Sequence, residues 1–551
     1  MKPLDFGGGG INGSLDANGR IIALNFYHPE YGYVTLTSAD PFPDDKRYDQ
    51  AAVRAYRKSL TELEGFGFSE ENIQTYVVNG CVVQTCRTEP DAVPRFRGRF
   101  SLQRCAYTQL TEGGPIPAPP VHTRLTMQSG VLNVENPAIG CVVVAGLSSA
   151  NSDLNIETGG TVEFNFEANQ QDRLSQVMIA FGLTCAEALQ KIDALTLPAE
   201  PANEYWSTVP EDVVLRRGLE YSFNMAVPVN EGVCLLTDHM LLPLSWNRDA
   251  YYAARALLSW HDDMRDTVRR HLIWMFKIAE RIDGAWARCY LANGKVKDGA
   301  FQLDQQLFPL LELAEYTLET GDLAAFERLA PHAHAILAML LARKADFAAL
   351  FPTDETPGDD PIALPYHLSS HILFWKVLDK LKRLGFDTGT LADDIRAAVD
   401  RYFVTELGGE RLYAYATDGK GRHHFYHDAN DFPTVLAPIW GWCSADDPVW
   451  RATIDFAFSE ANKDGFYQGH VGSVHTRAPW PLGDVQDLIV GRITGDQARI
   501  DRARAALRFA AQPDGALPEA YDAETGEVVS RHWFAWPNAA YACVELGAFK
   551  P

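Results

Sequence analysis

From about residue 211 onward, apolar residues recur every 3.6 positions in twelve successive segments, and no other feature of this chain constrains its fold so strongly. The segments fall near 211–224, 247–261, 266–283, 301–320, 322–343, 366–384, 389–405, 430–442, 446–461, 478–493, 496–511 and 532–548. Short and long connections alternate between them. The short ones, at 261–266, 320–322, 385–389, 444–447 and 494–496, carry the Gly, Asp or Ser of tight turns and helix caps. The long ones fall at about 225–246, 284–300, 344–365, 406–429, 462–477 and 512–531. In an up-and-down arrangement alternate connections share a rim, so six hairpins closed into a toroid gather all the long loops on one face. Long loops on a rigid scaffold are where function concentrates. No sequence repeat underlies the pattern, which argues against a binding solenoid.

The first 190 residues read differently. Short apolar runs at 20–26, 75–78, 81–85, 140–145 and 161–166 are separated by Gly, Asn, Asp and Pro clusters, as in strands at hairpin spacing. They predict an N-terminal β-sandwich, supersandwich-like, over 1–196. The proline-rich 115–120 reads as a loop, a short helix is expected near 185–195, and 197–210 reads as a linker to the helical domain, 211–551.

Of the 551 residues, 49 are basic and 72 acidic, a net charge of −23. A protein that neutralises phosphates needs a basic face, so nucleic acid is excluded as a partner. No apolar run approaches the roughly 18 residues of a membrane span, and the N-terminus has no apolar secretory core, so the expectation is a soluble, cytoplasmic protein without membrane partners. Nine cysteines scattered without a C-x-x-C pair fit neither a zinc site nor a disulfide framework, and read as small buried hydrophobes that mildly support the cytoplasm.

The long loops carry carboxylates and aromatic rings: WNRDAYY at 246–252, DGAFQLD at 298–304, FPTDETPGDDP at 351–361, HHFYHDANDF at 423–432, GSVHTRAPW at 472–480, GALPE at 515–519 and RHWFAW at 531–536. A crater of acids and indoles suits carbohydrate, because carboxylates accept from sugar hydroxyls while aromatic faces stack on the C–H faces of the ring. Hydrolysing a glycoside takes one protonated and one ionised carboxyl on opposite sides of the scissile bond, about 6.5 to 9.5 Å apart when the second activates water. Asp359 and Glu519 precede the sixth and twelfth helices, on diametrically placed hairpins. The blander readings are a plain N-terminal helix ion pair for Arg248 and Asp249, a solvent-facing turn for Asp359 and Asp360, and an exposed loop acid for Glu519. His423, His424 and His427 lack the partner pattern of a metal site. No cofactor or metal is implied, and nothing in the spacing of the acid-rich loops demands a structural calcium.

The segments GALPEAYD (515–522), ETG (524–526) and WFAW (533–536) resemble the catalytic-base region of glucoamylase-like glycoside hydrolases, family 15. NRD at 247–249 is similar to the Arg-Asp pair with which that family grips the terminal sugar, and DAND at 428–431 and the Gly-Asp turns at 321–322 and 495–496 also fit. A second set, PGDD (357–360), FYHDANDFP (425–433), GSVHT (472–476) with WP (480–481), and WFAWPN (533–538), resembles the metal-independent exo-α-1,6-mannosidases, family 125. Both resemblances imply an (α/α)6 barrel, with the acid before helix six and the base before helix twelve.

The resemblance therefore implies an inverting exo-acting α-glycosidase of the α-glucosidase type acting on oligosaccharides or glycosides, with exo-α-mannosidase as the alternative. Asp359 would be the general acid, with Asp360, Glu355 and Asp354 as competing donors, and Glu519 the general base. Trp246, Arg248, Asp249, Asp304, His427, Asp428, His475, Trp480, Trp533 and Trp536 would bind the sugar. Two further readings are a polysaccharide lyase or sugar epimerase on the same barrel, disfavoured because an acidic rim repels a uronate, and a non-catalytic sugar-binding protein.

Overall fold

The computed structural model describes residues 4–15, 21–37, 61–64, 73–87, 95–104, 123–128, 131–146, 155–156, 161–165, 174–195, 212–239 and 243–549. The linker expected at 197–210 and the proline-rich loop at 115–120 lie outside these residues.

The helical half contains twelve α-helices among its described residues: α1 (Val213–Asn224), α2 (Asn247–Trp260), α3 (Met264–Ile273), α4 (Leu303–Thr320), α5 (Leu323–Ala342), α6 (Leu368–Arg383), α7 (Leu391–Tyr402), α8 (Phe432–Trp440), α9 (Pro448–Ala457), α10 (Pro481–Thr494), α11 (Gln497–Ala510) and α12 (Ala535–Glu545). They answer to the twelve periodic segments. α2 packs on α4, α4 on α6, α6 on α8, α8 on α10, α10 on α12, and α12 back on α2, so the even-numbered helices close an inner ring and the odd ones lie outside.

Burial separates the two layers. In α4, 15 of 18 residues are buried, Asp304, Glu312 and Glu315 among them, whereas α11 buries only Ala503, Leu507 and Ala510. A helix apolar on one stripe belongs outside, and one buried all round belongs in the ring. Tight turns hold the lower rim. Gly321 and Gly495 end α4 and α10 in the left-handed region, at φ 73° and 70°. Asp322 and Asp496 immediately cap α5 and α11 by accepting from Ala325 N and Arg499 N at 3.0 Å.

The segment expected at 266–283 departs from a plain helix. α3 stops at Ile273, residues Trp274–Ile278 form a π-helical turn, and Arg281–Ile282 pair with Ala285–Trp286 as a ribbon. The wide turn carries Trp274, whose indole N–H donates to Ala292 O at 2.9 Å and pins the following long loop.

Before α1 the described residues form antiparallel sheets. One runs Leu4–Gly8, Ile11–Leu15, Ile21–His28, Gly32–Thr37 and Ser101–Arg104 in spatial order; a second runs Arg124–Gln128, Val131–Asn136, Gly140–Gly146, Leu174–Gly182, Cys81–Arg87 and Ile73–Val78. Ile11, Leu24, Phe26, Val34 and Leu36 of the first share an apolar cluster with Val82, Val134, Val142 and Ile179 of the second. A smaller sheet joins Asn155–Ile156, Thr161–Asn165, Arg95–Arg99 and Thr61–Glu64.

The other face of the first sheet meets the toroid. Alternation in a strand sends Asn12, Ser14 and Asn25 opposite to Ile11, Leu24 and Phe26. Asn12 donates to Asn224 O at 2.7 Å, Ser14 Oγ lies 3.0 Å from His239 Nε2, and Asn25 donates to His239 O. Beside them Arg217 of α1 pairs with Asp5, and with Asp514 at 3.4 Å.

The cysteine expectation is corrected. Cys141, on the strand Gly140–Gly146, is disulfide-bonded to Cys185, the first residue of the short helix Cys185–Asp193, with Cα atoms 4.9 Å apart. Their separation of 44 positions hides that the helix folds over this strand, so the thiol argument for a cytoplasmic location falls. Cys81, Cys234, Cys289 and Cys543 are buried thiols, as expected. Among the described residues no helix is long and apolar enough to cross a membrane.

Removing Arg217 takes its guanidinium partner from Asp5, whose side chain is 1% exposed. Arg217→Met should therefore lower unfolding stability by about 3–5 kcal/mol. A denaturation midpoint equal to that of the wild type would show that the sheet and the toroid are not coupled through this pair.

Candidate active site

The chain enters the upper rim through short ribbons. Leu244–Trp246 pairs with Cys289–Leu291 and delivers Trp246 to the mouth of the ring, with Arg248 and Asp249 in the first turn of α2. The loop before α6 makes a compact turn: Thr356 N donates to Asp360 O at 2.8 Å, Asp359 N to Thr356 O at 3.1 Å, and Thr356 Oγ1 accepts from Gly358 N and Asp360 N. Asp359 sits at its apex with φ 65°, a left-handed conformation that Asp tolerates better than most residues and that concentrates at working sites. Before α12, Glu519 is held by the Ala520–Tyr521 and Val528–Ser530 ribbon.

These elements line a pocket at the mouth of the ring. Eight of the expected residues line it: Trp246, Arg248, Asp249, Asp359, His475, Trp480, Glu519 and Trp536. Glu519 accepts from Ser530 Oγ, and Arg531 Nε lies 3.4 Å from its Oε1. Asp359 accepts from Trp246 Nε1 at 3.0 Å and Gln302 Nε2 at 2.7 Å, with Arg248 at 3.5 Å. Burial pushes its carboxyl up, but Arg248, Arg288 and Gln302 outweigh this and hold it below the usual range.

Arg248 is the hub. It pairs with Asp304 at 2.9 Å, reaches Gln302 Oε1 at 3.2 Å, and lies 4.7 Å from the centre of the Trp536 ring. Burial pushes the Asp249 carboxyl up to about 6 against the pull of Arg248 and of the Thr237 hydroxyl. His475 lies 3.5 Å from Asp360 Oδ1; burial disfavours its charge, but the bond to Asp360 and the charges of Glu519 and Asp359 push its pKa to about 9, so the ring is a cation at neutral pH.

The remaining candidates stand behind the wall. Asp304 holds Arg248, and Asp360 faces His475. Glu355 binds Arg288 at 2.8 Å and Gln302 at 2.9 Å, and burial raises its pKa despite them. His427, neutral because burial lowers its pKa, packs against Gln486 Oε1 at 2.7 Å. Asp428 accepts from Tyr426 and Ser473 hydroxyls. Trp533 is buried edge-on to His239 at the joint with the N-terminal sheet. His427, Asp428 and Trp533, expected to bind sugar, are engaged in these contacts and are not among the residues that line the pocket. Among the described residues no three His, Cys, Asp or Glu side chains group as metal ligands, and His423 instead faces Tyr402 O at 3.1 Å.

Five lining residues were not among the candidates: Pro357, Gly358, Asn430, Arg531 and Phe534. Each sits in a motif already singled out, but only the folded loops show which side chains face inward. Gln302, behind the wall, sits in the 298–304 segment but was not a candidate, and Arg288 carried no motif at all.

A family model described as metal-independent alpha-mannosidase (GH125) matches residues 342–546, which include both the Asp359 and Glu519 loops. The meiotically up-regulated gene 157 protein of Schizosaccharomyces pombe is 26% identical over 215 residues, 35% of this chain and 41% of that protein, so the chain matches only about two fifths of its curated relative. A Streptococcus pneumoniae protein from a family of metal-independent alpha mannosidases, solved in a non-productive complex with alpha-1,6-mannobiose, superposes with TM-score 0.55 at 22% identity over 63% of this chain and 96% of that one. A bacterial glucoamylase complexed with acarbose superposes with TM-score 0.59 at 12% identity over 99% and 93%. Both resemblances found in the motifs are therefore present, and the toroidal fold is shared with both structures.

Asp360→Asn removes the bond that most raises the His475 pKa. The ring's titration midpoint, followed by NMR of labelled histidine, should fall from about 9 toward the ordinary value. Because the raised pKa stabilises the fold fully below pH 6.5 and is lost as pH rises through about 9, the pH dependence of stability should flatten in that window. An unmoved midpoint would show that Asp360 does not govern this charge.

Proposed function

We propose that the protein is an inverting, exo-acting α-mannosidase that removes terminal α-linked mannose, with the α-1,6 linkage as its first candidate. The observation that carries this reading is a pocket with Asp359 and Glu519 in its wall, both inside the stretch that matches the mannosidase family model. It displaces the glucoamylase reading from first place. That reading keeps one specific support: the likeness to the bacterial glucoamylase runs through the N-terminal region, over 99% of the chain. In the same proposal the chain divides into a β-sandwich over 1–196, a linker over 197–210 and the barrel over 211–551, the β domain helping to close one end of the cleft.

The chemistry assigned to the site is a single displacement. Asp359 donates a proton to the leaving glycosidic oxygen while Glu519 takes one from the attacking water on the opposite face. Ser530 and Arg531 fix the Glu519 carboxyl, so it keeps one orientation toward that water. Arg248 and Asp249 offer a donor and an acceptor to the terminal sugar's hydroxyls, and the indoles of Trp246, Trp480 and Trp536 shape its walls.

The charges around Asp359 bear directly on this role. A general acid must carry its proton, yet two guanidinium groups favour the ionised form of Asp359. Burial already acts in the opposite sense, and a sugar that fills the pocket and expels water strengthens that term. Glu355 has the raised pKa an acid needs, but does not line the pocket. Position therefore favours Asp359.

Three outcomes follow with α-1,6-mannobiose and aryl α-mannosides. Glu519→Gln and Asp359→Asn should each lower kcat by about 10²–10⁴-fold, but only Asp359→Asn should recover on an aryl mannoside whose leaving group needs no proton. NMR should show β-mannose released first from an α-linkage. The alkaline limb of kcat should lie at higher pH than that of kcat/KM, since the occupied pocket raises the acid's pKa. Retention of configuration would remove the mechanism, and loss of activity in Glu355→Gln with Asp359→Asn unaffected would move the acid to Glu355.

A further inference from the structure

Asn430 lines the pocket and is 2% exposed, yet neither its Oδ1 nor its Nδ2 has a hydrogen-bond partner among the described residues. A buried amide left with both ends open is costly, and native proteins retain such groups chiefly where something else completes them. Its position is firmly set. The Asn430 backbone N–H donates to Asp428 Oδ1 at 2.9 Å, and Asp428 Oδ2 accepts from Ser473 Oγ at 2.9 Å and from the Tyr426 hydroxyl. Asp431, one residue on, faces His367 Nε2 at 3.1 Å. Burial and the neighbouring Asp431 push the Asp428 carboxyl up to about 7, yet both its oxygens are bonded, so it serves as a brace.

Asn430 also abuts the turn that carries the candidate acid. A Cβ on Gly358 would lie 3.0 Å from Asn430 Nδ2, a tight contact, so glycine gives the amide room beside the residue before Asp359. The other charged groups lining the pocket are one-sided. Asp249, Asp359 and Glu519 as carboxylates only accept, and Arg248, Arg531 and protonated His475 only donate. Asn430 is the lining side chain that does both.

We propose that Asn430 is the pocket's hydroxyl-reading residue: its amide takes two adjacent hydroxyls of the bound sugar, Oδ1 accepting from one and Nδ2 donating to the other. This rests on the α-mannosidase reading for the identity of the sugar. It assigns Asp428 a positioning role, behind Asn430.

The test pairs the hydroxyl with the residue. Wild type and Asn430→Ala are assayed on an aryl α-mannoside and its 2-, 3- and 4-deoxy forms. Wild type should lose roughly 10- to 100-fold in kcat/KM on two deoxy substrates at adjacent positions. In Asn430→Ala those two losses should shrink to within about threefold while the third stays unchanged. Equal losses in both proteins at every position would overturn the assignment. If Asn430→Ala does not fold, Asn430→Ser replaces it, with the same expected pattern. If no α-mannoside is cleaved, the hydrolase reading fails by itself, and tryptophan-fluorescence titration with mannose and its monodeoxy forms reads Asn430 instead. The same pattern in Kd supports the assignment, identical deoxy penalties in wild type and variant overturn it, and no binding of any of these sugars overturns both.

Discussion

The guanidinium of Arg248 is the contact on which the site depends. It is 3% exposed and reaches Asp304 on α4, Asp359 in the loop before α6, Asp249 beside it on α2, and the face of Trp536 on α12. One buried cation thus ties together elements from four of the six inner positions. A charge this deep is tolerable only because three carboxylates surround it, and those carboxylates are tolerable only because it is there. An inner ring built from apolar side chains alone would pack as well, but it would have no reason to hold Asp359 at one point of the rim. The left-handed backbone of Asp359 is the visible consequence, since the turn accepts an unfavourable φ to bring its carboxyl to Trp246, Gln302 and Arg248.

The same cation sets the chemical tension of the site. It orients the candidate acid and simultaneously favours its ionised form, so a proton at Asp359 has to come from the change in surroundings when the pocket fills. Another cation, His475, lies among Asp360, Asp359 and Glu519, whose proximity raises its pKa. The pocket is therefore a set of mutually dependent ionisations, and substitutions within it are not expected to add.

The N-terminal sheet enters this network from behind. Ser14 and Asn25 hold His239, Thr237 two residues earlier bonds Asp249, and Ala535 N donates to Thr237 O at 2.7 Å at the start of α12. The strap 237–239 thereby links the β region to both a pocket carboxylate and an inner helix. Asn12, Ser14 and Asn25 alternate with apolar residues along their strands. In the fold they are buried against the toroid, because a second element covers the face that a single strand would leave wet.

Periodicity and connection length by themselves determined the toroid, since a 3.6-residue apolar pattern and alternating loop lengths are local properties that any closed hairpin ring must satisfy. They also placed the Asp359 and Glu519 loops on one rim, and the motifs around Trp246, Arg248, Asp249, His475, Trp480 and Trp536 marked residues that do line the pocket. Tertiary structure alone decided the rest. It engaged His427, Asp428 and Trp533 in contacts outside the pocket lining, brought in Asn430 and Arg531, and recruited Gln302 from behind the wall and Arg288 from a stretch without a motif. It also bonded Cys141 to Cys185. The physical reason is common to all of these: which side of a loop faces inward, and which distant charge compensates a buried one, depend on contacts between residues that only folding brings within a few ångströms.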